Sequence, residues 1–146
     1  MNELVKIFNM LVLYDYNIRV LHWKIVGKGF ETNHNLMDSY HSQLNAMIDD
    51  IGECILMLKG NIPAFTEIPT YLRNDDSTSY VLLNGTDKYD SEKVLENTRK
   101  MFNGLLDAYQ KATDNSEIPG DIVSKLQEHQ YWLRKESNYK LDSKLQ

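Results

Sequence analysis

A chain of 146 residues, 42% hydrophobic and 25% charged, is long enough to form one domain with a substantial core. Its formal charge of −5 offers little electrostatic attraction to duplex DNA, and its single cysteine, Cys54, excludes an internal disulfide framework and points to a reducing, cytoplasmic setting. The opening residues Met1–Lys6 lack the basic and apolar pattern of a secretory signal, and no apolar stretch is long enough to span a bilayer.

Periodicity predicts an all-α chain with four main helices in a single domain over 1–146. The first helix, over 3–26, repeats Leu4, Phe8, Leu11, Ile18, Leu21 and Ile25 at helical spacing, with Asn2 as its cap and Gly27 and Gly29 as its end. The second, over 32–59, carries Leu36, Tyr40, Leu44, Met47, Ile48, Ile51, Ile55 and Leu58 on its core side and stops at Gly60. Residues 61–90 contain Pro63, Pro69 and Asn84-Gly85 without a sustained period. A connection of that length inside a compact domain is expected to be a crossover between parallel helices, with a short helix near Thr70 to Arg73. The third helix, over 91–113, follows a Ser91 cap and buries Val94, Leu95, Met101, Phe102, Leu105, Leu106 and Tyr109. The fourth, over 119–138, opens at Pro119 and presents Ile122, Leu126, Trp132 and Leu133. The predicted fold is an up-down-down-up four-helix bundle.

Five residues with metal-binding side chains fall within thirty-two positions: His22, His34, Asp38, Asp49 and Glu53. At about 100° per residue, the last four lie within roughly 100° of one another on the second helix. Asp38 and Asp49 are nevertheless about 16 Å apart along the axis, so the two pairs cannot hold the same ion within one helix. The pairs 38 with 49 and 34 with 53 share a midpoint between Gln43 and Leu44. A second copy packed antiparallel about a two-fold axis there would set Asp38 opposite Asp49 and His34 opposite Glu53, making two identical sites. His41, Ser42, Asn45 and Gly52, on the same side, are small or polar enough for close approach. If the chain reverses near Lys28, His22 and His34 meet at the same level of a helical hairpin. Two imidazoles and three carboxylates suit Fe(II), Mn(II) or Zn(II).

The run His22-Trp23, Gly27, Phe30, His34, Met37-Asp38, Asp49 and Glu53, followed by Leu58-Lys59-Gly60, resembles the ferroxidase signature of the Dps family, the mini-ferritins of the ferritin-like superfamily. Gln130-Tyr131-Trp132-Leu133 is similar to the last helix of that family. The resemblance implies a ferritin-like four-helix subunit, twelve copies of which form a hollow shell. It further implies that Fe(II) is oxidised at two-fold interfaces, preferentially by hydrogen peroxide, with dioxygen as the other oxidant, and that ferric iron is stored inside. The first ion is then held by His22, Asp49 and Glu53 and the second by His34 and Asp38, with Zn or Mn able to occupy the same site. Trp23 and Tyr40 are candidate electron donors near it. Cys54 stands where the family often has Arg, and Lys59-Gly60 where it often has Gly-Gly.

An intrasubunit di-iron bundle is a competing arrangement, needing Glu-x-x-His on two helices. Glu31-x-x-His34 supplies one half, but Leu126 precedes His129 where the other half needs Glu. His41 and His129 are expected at the surface or an interface, and Cys54 as a packed small side chain. A shell protein that holds metal without turnover is the second functional reading, and a nucleoid-compacting protein a weaker third. DNA binding is not expected, because the predicted first helix starts almost at Met1 and Asp142 offsets Lys140 and Lys144 in the tail.

Overall fold

A computed structural model of the protein describes residues 2–146. Its main helices are α1 (Asn2–Lys24), α2 (Phe30–Met57), the short α3 (Glu67–Asn74), α4 (Ser91–Asp114) and α5 (Gly120–Lys135). A π-helical turn, Glu136–Leu141, and α6 (Asp142–Leu145) continue directly from α5. The last helical rod therefore runs further than the pattern over 119–138 suggests. Among the described residues no helix is long and apolar enough to cross a membrane.

Both α2 and α4 begin at the end of the bundle where α1 finishes. Val26 N donates to Tyr89 O at 2.9 Å, Tyr89 N donates to Lys24 O at 3.1 Å, and Ser91 Oγ donates to Lys28 O at 2.6 Å. Since α2 ends at the opposite pole, the segment 58–90 must climb the length of the bundle. The two middle helices then run parallel, which is the up-down-down-up order. The strap is tied to α1 through Val81, whose N–H donates to Tyr14 Oη and whose carbonyl accepts from Asn17 Nδ2 at 2.7 Å. Lower down, Asp75 accepts from Ser77 and Tyr80 and pairs with Lys6, so its carboxyl is held well below the usual carboxylate range, chiefly by the Ser77 and Tyr80 hydroxyls.

One apolar core runs through the bundle, from Leu4, Ile7, Leu11 and Ile18 of α1 to Met37, Leu44, Met47 and Ile51 of α2 and Phe102, Leu105, Leu126 and Leu133 of α4 and α5. The wheel of α2 is turned slightly from the expected one. Met37 and Cys54 are fully packed, whereas Leu36, Ile48 and Leu58 are only half-buried. The π-turn has a local reason. An extra residue per turn lets the consecutive residues Glu136 and Ser137 both face inward, where Glu136 Oε1 accepts from Tyr40 Oη at 3.0 Å and Ser137 Oγ donates to Asn103 Oδ1 at 2.7 Å.

Helix ends depart from the sequence reading in three places. Asn2 lies inside α1 rather than capping it. The cap of α4 is Asp90, whose side chain accepts from Lys93 N at 2.9 Å, because the Ser91 hydroxyl is committed to the α1–α2 turn. The stop of α2 is a left-handed Lys59 (φ 61°), with Gly60 N donating back to Ile55 O at 2.9 Å. Gly29 is also left-handed. Its φ of 81° disfavours any L side chain, and a β-carbon there would lie 2.8 Å from Ser91 Oγ. Gly29→Ala is expected to lower unfolding free energy by about 1–3 kcal/mol, whereas Lys59→Gly is expected to raise it by less than about 1 kcal/mol, the relief of a left-handed side chain offset by glycine's entropy. Urea titrations of both variants read the two opposite signs.

Candidate metal centre

The end of α1 prepares the first half of the site. With Val26 N turned to Tyr89, the carbonyl of His22 loses its next helical donor and is left open. His34 Nδ1 takes that carbonyl at 2.8 Å, and His22 Nδ1 takes the carbonyl of His34 at 2.9 Å. The two rings stack with centroids 3.8 Å apart, and Phe30 lies over the outer side of His34 at 4.9 Å. A carbonyl oxygen only accepts, so each Nδ1 carries the ring proton and each Nε2 keeps its lone pair. Donation to a backbone carbonyl is the usual way in which a metal-binding imidazole is oriented.

Asp38 lies one turn beyond His34 and is exposed. With Arg19, His22, Trp23 and His41 it lines a small cleft of about 170 Å³. His41 is engaged there by hydrogen bonds: its Nδ1 faces Asp15 Oδ1 and its Nε2 lies 2.9 Å from Arg19 Nη2. Trp23 is 60% exposed. Tyr40, by contrast, is buried between Phe102 and Trp132 and donates to Glu136. Burial, and then the Glu136 charge, push its phenol far above the ordinary range.

The second half is a carboxylate group on the next turns of α2. Oxygens of Asp49, Asp50 and Glu53 all lie within 4.8 Å of one another. Asp49 and Glu53 are exposed and Asp50 is half-buried. Eleven residues of continuous helix hold Asp49 about 16 Å from Asp38. One chain therefore brings His22 to His34 beside Asp38, and Asp49 to Glu53, but it does not bring the two groups together. Cys54 is packed in the core, and its thiol is pushed up by burial and by the nearby Asp50 charge.

Two features escaped the sequence reading. His129, expected at the surface or an interface, is only 4% exposed and packs inside the bundle. Its Nε2 lies 2.8 Å from Asp50 Oδ2 and its Nδ1 lies 2.7 Å from Tyr109 Oη. Burial holds His129 below its ordinary pKa despite Asp50, and burial pushes Tyr109 well above its own. The pattern contained a signal: Ile122, Leu126, His129 and Leu133 follow the spacing of a buried stripe. The other feature is an apolar groove of about 730 Å³ between α1, α3 and the strap, lined by Leu13, Tyr16, Phe65, Ile68, Leu72 and Leu82. Tyr16, Phe65 and Leu82 are each more than half exposed. Tyr16, Arg19 and Trp23 follow one another at helical spacing, so the groove and the His22–Asp38 cleft share one side of α1.

The family profile described as the ferritin-like domain matches residues 1–136. The DNA protection during starvation protein of Streptococcus suis is 26% identical over 104 residues, which are 71% of this chain and 58% of that protein, so the match spans less than two thirds of the relative's length. Among solved structures, antigen TpF1 from Treponema pallidum aligns with a TM-score of 0.85 at 19% identity, covering 99% of this chain and 89% of the other. Dps from Staphylococcus aureus aligns with a TM-score of 0.80 at 19% identity, covering 99% and 93%. With a ferritin-like profile over nearly its whole length, a Dps-type bundle and relatives of the same kind, this chain belongs to the ferritin-like domain family, with Dps proteins among its relatives.

Proposed function

We propose that the protein oxidises Fe(II) with hydrogen peroxide at sites shared between two copies and stores the ferric product within a closed shell. The observation that carries this reading is the exchange of hydrogen bonds between His22 and His34, which leaves two Nε2 lone pairs side by side and already oriented. Such a lock does little for stability that ordinary helix packing would not do, but it prepares a ligand pair. Iron is the substrate. His22 with Asp49 and Glu53 of the second copy hold the first Fe(II), and His34 with Asp38 hold the second. Each Fe(II) gives one electron, the peroxide O–O bond breaks and two hydroxides leave. The hard carboxylate oxygens favour Fe(III) over Fe(II), which drives the electron transfer.

The second copy supplies what the 16 Å spacing withholds. Antiparallel pairing of α2 about its midpoint places Asp38 near the partner's acidic turn, and the apolar groove beside it gives the contact a hydrophobic component. The family's twelve-subunit shell is the expected assembly. The net charge of −5 argues against counterion-release binding of duplex DNA.

Three outcomes are expected. Nitrogen-15 NMR of the metal-free protein should place the proton of both His22 and His34 on Nδ1 at pH 8; an Nε2–H form of either would remove the prepared ligand pair. Light scattering should give about 204 kDa, twelve times the 17.0 kDa chain, and a stable monomer would exclude a shared site. His34→Ala/Asp38→Ala and Asp49→Asn/Glu53→Gln should each lose nearly all peroxide-driven Fe(II) oxidation, and co-refolding the two variants should restore up to about half of the sites wherever unlike chains pair, because one interface site collects every mutation and the other none. Normal mixing without recovery would rule out the intersubunit arrangement. Metal binding that persists in the wild type without any oxidation would favour the assembly-only reading.

A further inference from the structure

Tyr109, His129 and Asp50 form a chain of hydrogen bonds from the bundle core to the acidic turn of α2. Each link has a defined direction. Asp50 Oδ2 accepts the Nε2–H of His129 at 2.8 Å, which leaves His129 Nδ1 as the acceptor of the Tyr109 hydroxyl at 2.7 Å. Tyr109 is fully buried, and among the described residues its hydroxyl has no hydrogen-bond partner besides His129, so the chain is a dead end for protons coming from solvent. A buried path that ends on a phenol is poorly built to move protons to water. It is well built to give up an electron, because the phenolic proton has an imidazole to receive it and the resulting imidazolium has a carboxylate beside it.

We propose that Tyr109 is an internal one-electron donor, with His129 as its proton acceptor and Asp50 as the residue that positions His129, serving the peroxide chemistry of the site that contains Asp49 and Glu53. The inference rests on the ferroxidase reading given above. Peroxide needs two electrons, and a site holding one Fe(II) supplies one. In the step inferred here, Fe(II) and Tyr109 each lose one electron, the O–O bond breaks to give two hydroxides, and the Tyr109 proton moves to His129 Nδ1. The products are Fe(III), a neutral tyrosyl radical, a protonated His129 and two hydroxides, so that atoms, electrons and charge balance.

The other aromatic residues near the site are less suited. Trp23 is 60% exposed, and its ring nitrogen has no hydrogen-bond partner among the described residues. Tyr40 donates to Glu136, but that carboxylate is already paired with Lys140 at 2.9 Å, and among the described residues it makes no hydrogen bond to the acidic turn of α2. Tyr109 alone among the three has an imidazole acceptor that is continuous with Asp50. Burial holds that imidazole below its ordinary pKa, which favours the neutral form whose Nδ1 lone pair faces Tyr109.

Electron paramagnetic resonance tests this in two settings, with ring-deuterated tyrosine to identify the radical. In the metal-free assembly, photo-oxidation with a ruthenium trisbipyridine and persulfate pair should give a long-lived tyrosyl radical that Tyr109→Phe abolishes and His129→Gln reduces at least several-fold. In the iron reaction, one Fe(II) per site with peroxide should give the same radical, and two Fe(II) per site should cut its yield several-fold. Circular dichroism and light scattering check that both variants fold and assemble, and Tyr109→Phe removes a single oxygen should His129→Gln fail. A radical of unchanged intensity in Tyr109→Phe, or a yield indifferent to iron loading, would overturn the proposal while leaving iron oxidation standing. Absence of any iron oxidation would overturn the ferroxidase reading, and the donor role with it.

Discussion

An α-helix holds residues eleven positions apart at about 16 Å, and α2 is one continuous helix across both positions. Every part of the proposed site answers to this constraint. Two imidazoles and one carboxylate gather at the beginning of α2, and a carboxylate group gathers further along it, each a part of the proposed coordination shell. Neither half supplies enough donors to hold a redox-active ion firmly, so the proposed chemistry depends on bringing a second copy into place. The apolar groove bordering the same side of α1 fits that demand, since a monomer gains nothing from exposing Tyr16, Phe65 and Leu82 together.

The crossover matters to the site as well as to the topology. Because the strap returns the chain to the pole where α2 began, α2 and α4 start level and run parallel. Asp50 lies twenty residues into the one and Tyr109 eighteen into the other, at nearly equal heights. The antiparallel α5 then needs only one side chain, His129, to connect them. An up-down-up-down bundle of the same helices would start α4 at the other pole and bring its opposite end to Asp50.

Legibility in the sequence was greatest where geometry follows from spacing alone. The pairing of His22 with His34 needed only a turn equidistant from both, and the failure of one helix to close the site needed only the rise per residue. It was weaker wherever a polar side chain takes a core position. His129 occupies an apolar stripe, but its residue type points to the surface or an interface, and its partners are separated from it by twenty and seventy-nine residues. The π-turn left no periodic trace, since the inward pair Glu136 and Ser137 is polar and its partners Tyr40 and Asn103 lie on other helices. Ser91 looked like a cap because its type is right for one, yet the tertiary bond to Lys28 claims it and Asp90 takes over.

Electrostatics ties the proposed assembly to the proposed chemistry. Asp49, Asp50 and Glu53 carry three carboxylates within 4.8 Å, which is tolerable while water screens them. Docking a second copy over this turn, with its own Asp38 close by, would remove much of that water and make the repulsion larger. The imidazole of His129, which donates to Asp50, offsets part of it, and in the proposed site a divalent ion between Asp49, Glu53 and the facing His22 would offset the rest. Binding of the ion and closure of the interface therefore favour each other, and by linkage each strengthens the other equally. The proposed site would therefore hold iron best in a closed shell, which is also when the ferric product would have an enclosed space to enter.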